Sequence, residues 1–128
     1  MIVHTAIGSQ DERVARVRAG AEAMRINPET SNELIDDSLG RIAEEIFREL
    51  GVRRLIVTGG DTAGRVQRRL GVEALEIAAS LPDRAPLSYV YSRIPQVNGM
   101  EMALKGGQVG KEGYFQTMQS LDTIPFAD

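Results

Sequence analysis

Apolar and polar positions along the chain alternate between two periods, and the switches between them mark the expected elements. Met1 to Ala6 (MIVHTA) has the short apolar run of a strand. Gly8-Ser9-Gln10-Asp11 reads as a turn ending in an N-cap. Val14, Val17, Ala21 and Met24 then recur at helical spacing over Glu12 to Met24, with Asp11 and Glu12 at the electropositive helix start. Asn27-Pro28 breaks that pattern. Leu34, Ile35, Leu39, Ile42, Ala43, Ile46, Phe47 and Leu50 share one face of a longer helix from about Ser31 to Leu50, and Gly51 suits the position just past its end. A buried strand, Arg54 to Val57, runs straight into Thr58-Gly59-Gly60-Asp61-Thr62-Ala63-Gly64, followed by a short helix over about Thr62 to Leu70 that Gly71 ends. Glu73 to Ile77, Leu87 to Tyr91 and Met100 to Leu104 read as further strands. A second glycine loop, Lys105-Gly106-Gly107-Gln108-Val109-Gly110, precedes a last helix over Gly113 to Leu121, with Tyr114, Phe115 and Met118 facing inward. Strand, glycine loop and helix in succession are the grammar of an α/β fold. The expectation is a mostly parallel sheet with flanking helices and glycine loops at the strand C-terminal ends.

Composition narrows the field by exclusion. The 128 residues are one domain's worth, and 42% hydrophobic with 26% charged residues is ordinary for a globular chain. With no cysteine there is no disulfide framework, thiolate metal site or cysteine nucleophile; with His4 as the one histidine there is no His-rich metal site. His4, in an apolar run, reads as a core or edge residue. A net charge of −3 gives no electrostatic case for nucleic acid. No apolar run reaches the roughly 18 residues of a membrane span and no leader pattern opens the chain, so the expected setting is the cytoplasm.

The chemistry candidates are the two loops. Each follows an expected strand and precedes a helix, which places both at the carboxyl edge of a sheet, where open α/β sheets bind ligands. Gly59 and Gly60 remove side chains where phosphates would approach the backbone, and the N–H groups at the following helix start favour an anion. Thr62 is placed to cap that helix or bond a phosphate oxygen, and Asp61 to hold a metal-bound water or a ribose hydroxyl, with Arg65 adding positive charge. In the second loop Gly107 and Gly110 play the glycine part, flanked by Lys105 and Lys111. Neither loop has a general nucleotide fingerprint: the second lacks P-loop spacing and carries Glu112 after Lys111, and GGDTAG is not G-x-G-x-x-G. The residues alone leave a tight turn and an anion site both open.

In combination the motifs are more specific. His4-Thr5 followed by Gly8-x-x-Asp11-x-Arg13, then RRLIVTGGDTAGRVQRRLGVEALEI (Arg53 to Ile77), Ala85-Pro86-Leu87-Ser88, and ALKGGQVGKEGYF (Ala103 to Phe115) resemble the C-terminal nucleotide-binding domain of the four-carbon acid sugar kinases over essentially the whole chain. The resemblance implies a single, truncated nucleotide-binding domain over residues 1–128 with ATP and Mg²⁺ as cofactors. It also implies that Gly59, Gly60, Asp61 and Thr62 contact the ATP phosphates and that Gly107 or Gly110 approaches the nucleotide. It assigns no catalytic residue and no protein metal ligand. Gln108-Val109 stands where many relatives have Asn-Phe. The family's earlier strand and Gly-Ser loop would precede Met1, and Gly8-Ser9 is in the wrong place to replace them.

The implied activity is transfer of the γ-phosphoryl group of ATP to a hydroxyl of a sugar acid such as threonate, erythronate or 3-oxotetronate. The acceptor would be bound by a separate N-terminal domain, so this chain alone is expected to be inactive. The alternative is a non-catalytic remnant that acts as an interaction or oligomerisation module, pairing with another chain or with itself; neither nucleic acid nor membrane is an expected partner. A Rossmann-type dinucleotide site is disfavoured by the missing glycine spacing.

Overall fold

The computed structural model describes residues 1–8, 10–80, 85–107 and 111–126. Two compact units divide the chain, Met1–Ser38 and Leu39–Asp128.

In the first unit, α1 spans Glu12–Ala23. Its start is fixed by Asp11, whose carboxylate accepts from the N–H groups of Arg13 (2.9 Å) and Ile7 (2.8 Å) and from the Arg13 guanidinium. Those hydrogen bonds hold the Asp11 carboxyl well below the usual carboxylate range. The expected stripe is only partly used: Ala21 is buried, whereas Val17 and Met24 are exposed. Residues 1–8 form no strand and His4 is exposed, against the expectation for MIVHTA. A strand needs a neighbour to satisfy its backbone, and an apolar run does not supply one.

α2, Pro28–Leu50, starts earlier than its periodicity indicates because Asn27 caps it, accepting from the Glu29 N–H at 2.8 Å while Pro28 takes the first helical position. Asn27→Ala is expected to cost ~1 kcal/mol in urea denaturation, and Asn27→Asp to be near neutral. From Leu39 onward, Gly40, Ala43 and Phe47 form the buried face of this helix.

The second unit carries a four-stranded sheet of order β1-β4-β3-β2, with β1 Arg54–Thr58, β2 Val72–Ala79, β3 Leu87–Ser92 and β4 Glu101–Lys105. β1 and β4 pair in parallel, but β4–β3 and β3–β2 are antiparallel. The expected mostly parallel sheet is therefore corrected to a mixed one. The reason lies in the connections: residues 80–86 and 93–100 are shorter than the dozen or so a parallel crossover takes, so these strands must reverse. Only β1 is followed by a helical crossover, α3 (Gly60–Arg69), into β2.

Strand alternation sends side chains to two faces. On one, Val57, Val90 and Met102 pack with Ala63, Val66 and Leu70 of α3 and with Ala43 and Phe47 of α2. On the other, Leu87 and Ala103 pack with Tyr114 and Met118 of α4 (Tyr114–Ser120), with Ile56 at the margin. Phe115, expected to face inward, is partly exposed, because the i, i+4 pair Tyr114 and Met118 takes the sheet-facing side of this short helix.

Candidate functional site

Because β1 and β4 are parallel neighbours, their carboxyl ends lie side by side, and Thr58 is in register with Lys105. Both glycine loops begin there. The Gly59 N–H donates to the Lys105 carbonyl at 2.9 Å, which ties the base of one loop to the base of the other. The helices that follow leave on opposite faces: α3 packs on the side of Val57 and Met102, α4 on the side of Ala103. Adjacent parallel strands whose following helices diverge to opposite faces create a crevice beyond their carboxyl ends.

The first loop is a strand-to-helix turn made by one strained residue. Gly59 has φ 103° and ψ 131°, a backbone region that L side chains rarely adopt, and its own requirement for glycine is thus conformational. It is also the N-cap of α3, without any side chain to satisfy the first turn. The first helical bond runs from the Ala63 N–H to the Gly59 carbonyl at 2.9 Å. The amides ahead of Ala63 therefore lie upstream of the intrahelical ladder, at the positive end of the helix dipole. Thr62 sits inside the first turn rather than at the cap expected for it, and its Oγ1 lies 3.5 Å from where a Cβ on Gly59 would stand.

Gly60 and Gly107 differ from Gly59. Neither has positive φ, and a Cβ on either would meet no described atom within 4 Å. Gly60, Asp61 and Gly107 are all solvent-exposed. Among the described residues, neither backbone conformation nor packing requires glycine at 60 or 107. Gly110, the other expected contact in the second loop, lies outside the described residues, as do Gln108 and Val109.

The flanking charges are unevenly placed. Lys111 and Glu112 are exposed. Lys105 is half-buried at the end of β4; its Nζ donates to the Gly106 carbonyl (3.0 Å) and lies 5.6 Å from the centroid of the Tyr114 ring. Sequence reading missed this pairing, although the position of an aromatic residue at the first turn of the helix after a Lys-Gly-Gly loop was there to be used. Among the described residues no group of three or more His, Asp or Glu side chains converges as a metal cluster.

The α/β unit thus brings the starts of both glycine loops together at the carboxyl ends of two adjacent parallel strands, the place where open α/β sheets bind ligands. The family described as "Nucleotide-binding C-terminal domain" matches residues 1–115. The chain belongs to that family, the C-terminal domain of the four-carbon acid sugar kinases. It is similar to a 3-oxo-isoapionate kinase of Paraburkholderia graminis, 32% identical over 90% of this chain and 24% of that protein. A 3-oxo-tetronate kinase of Burkholderia multivorans is 34% identical over 83% of this chain and 23% of its own length. A solved Haemophilus influenzae protein shares the fold at a TM-score of 0.62 and 22% identity, covering 84% of this chain and 24% of that one. The chain thus spans about a quarter of the length of these relatives. Among the described residues no helix is long and apolar enough to cross a membrane.

Proposed function

We propose that this chain is the ATP-binding portion of a four-carbon acid sugar kinase, working in the cytoplasm. The phosphate tail of ATP lies in the crevice beyond β1 and β4, against the main chain at Gly59–Thr62 and Gly107, with Gly110 as the further contact in the second loop. The observation that carries the reading is that Gly60 and Gly107 are bare at this crevice without a conformational or packing reason among the described residues. Backbone amides and a helix N-terminus fit phosphate oxygens.

Asp61, the exposed carboxylate in the first turn of α3, is the residue that would hold a Mg²⁺ accompanying the nucleotide, and the ion would supply charge neutralisation for the phosphates. The acceptor is a small sugar acid such as threonate, erythronate or 3-oxotetronate. The names of the relatives point to that class, and a further domain supplies its hydroxyl and the base. This chain's part is positioning and charge stabilisation, the main requirements of phosphoryl transfer, and it is inactive alone.

Isothermal titration with Mg-ATP and ADP tests the reading. Binding at up to millimolar nucleotide by a folded sample is expected; its absence overturns retained nucleotide binding.

One observation favours a second reading, an interaction module. β2 is one of the two edge strands of the sheet, and it exposes Leu75 and, at 60%, Ile77. Unpaired edges with apolar residues invite strand pairing. Light scattering across a concentration series decides it, and a constant monomer mass removes self-association.

A further inference from the structure

Phosphate tails carry several negative charges, and amides alone neutralise none of them. Which cation serves the crevice is therefore a separate question from whether nucleotide binds there. Lys105 stands apart from the other basic residues near the loops because its main chain is itself part of the crevice floor: its carbonyl accepts the Gly59 N–H. Its side chain shares the sheet face of Ala103, towards α4. There it meets Tyr114, which is 3% exposed and locked in the small core with Leu87, Ala103 and Met118. The ammonium lies 5.6 Å from that ring's centroid, within cation–π range, and donates to the Gly106 carbonyl. Both contacts are to neutral groups. Among the described residues, then, the charge is held at the root of the second loop without a carboxylate to neutralise it.

We propose that Lys105 is the cation that pairs with the phosphate tail, and that Tyr114 is the positioning residue that keeps its ammonium at the junction of the two loops. This rests on the nucleotide reading and deepens it by naming the source of charge. A fixed aromatic face holds an ammonium without competing for it as a carboxylate would. Moving from the Gly106 carbonyl to a phosphate oxygen exchanges a neutral acceptor for a charged one, which makes a stronger bond.

The test is ADP titration over a series of salt concentrations with the wild type, Lys105→Met, Lys105→Arg and Lys111→Met. Lys105→Met is expected to weaken ADP about tenfold or more and to flatten the salt dependence. Lys105→Arg should recover most of the loss. Tyr114→Leu should bind several-fold more weakly than Tyr114→Phe, which keeps the ring; both are compared after denaturation curves establish that they fold. Equal binding by those two variants overturns the role of Tyr114. Undiminished binding by Lys105→Met, or an equal loss in Lys111→Met, overturns the assignment of Lys105 and leaves the nucleotide reading standing. No binding by the wild type overturns both.

Discussion

Arg54→Ala is expected to destabilise the second unit by about 2–3 kcal/mol, read as a lower urea midpoint with an unchanged slope. Arg54 opens β1 in register with Glu101 of β4, at the sheet edge opposite the glycine loops. Its Nε donates to Glu101 Oε2 at 2.5 Å, and one terminal nitrogen donates to the carbonyls of Met118 (2.8 Å) and Gln119 (2.9 Å) at the end of α4. Thr123 donates its hydroxyl to Glu101 Oε1 at 2.7 Å, and the Tyr89 hydroxyl reaches Thr123 and the Ile124 carbonyl. One ion pair thus joins two parallel strands, the end of a helix and the segment that follows it. Side-chain exposure is 23% for Arg54 and 15% for Glu101, so removing the guanidinium strands a largely desolvated carboxylate. Residual solvent access keeps the cost below the ~3–5 kcal/mol of a fully buried pair. The double variant Arg54→Met with Glu101→Leu should recover much of the loss, since an apolar replacement leaves neither charge behind.

The same pair sets an acid dependence. Burial pushes the Glu101 carboxyl up, but hydrogen bonds from Arg54 and Thr123, with the charges of Arg54 and Arg53, outweigh it and leave it below its ordinary value of 4.5. A depressed folded value means that the stabilisation is fully present above the unfolded value and is lost as pH falls through the folded one. Urea midpoints measured from neutral pH downward should accordingly fall below about pH 4.5, and fall less in Arg54→Ala. Equal acid sensitivity in the two proteins would count against this assignment.

Helix and strand positions in the second unit were legible because their signals are local. Gly51 and Gly71 both have φ 59° and follow helices that the apolar period had already bounded. The strands were found within about a residue or two, since apolar runs flanked by Gly, Pro and polar clusters are specific enough at that length. Direction was the harder inference. The short connections 80–86 and 93–100 carried it, but the strand–loop–helix succession around Thr58 to Gly64 pointed to parallel pairing throughout. The grammar held only for the one strand that has a helical crossover. The first residues failed for a different reason: MIVHTA has a strand's composition, yet strand formation depends on a partner that composition does not name. Val17 and Met24 show the same limit, because a stripe tells which face is apolar and not whether anything meets it. At the site, the placement of both loops on one edge was readable. The Lys105–Tyr114 contact and the Arg54–Glu101 network were not, since each requires the β1–β4 register.

Gly60→Val combined with Gly107→Val is expected to reduce ADP affinity by at least about a hundredfold while the urea midpoint stays within about 1 kcal/mol of the wild type. The separation of the two readouts is what gives the experiment its force. Gly60 is the first residue of α3 and Gly107 belongs to the loop after β4; at each, a side chain would meet no described atom where it begins, and neither has a positive φ. Stability is therefore little affected by the added groups, and at Gly60 valine is the better helix former because it loses less backbone freedom on folding than glycine does. Ligand access is not indifferent, because isopropyl groups on both sides of the crevice hold phosphate oxygens beyond hydrogen-bond reach of the main chain. Gly59→Ala should behave in the opposite way. With φ at 103° it should cost about 1–3 kcal/mol of stability before any ligand is considered. A double variant that binds ADP as the wild type does would place the phosphates elsewhere. One that unfolds would return Gly60 and Gly107 to the ordinary role of turn residues.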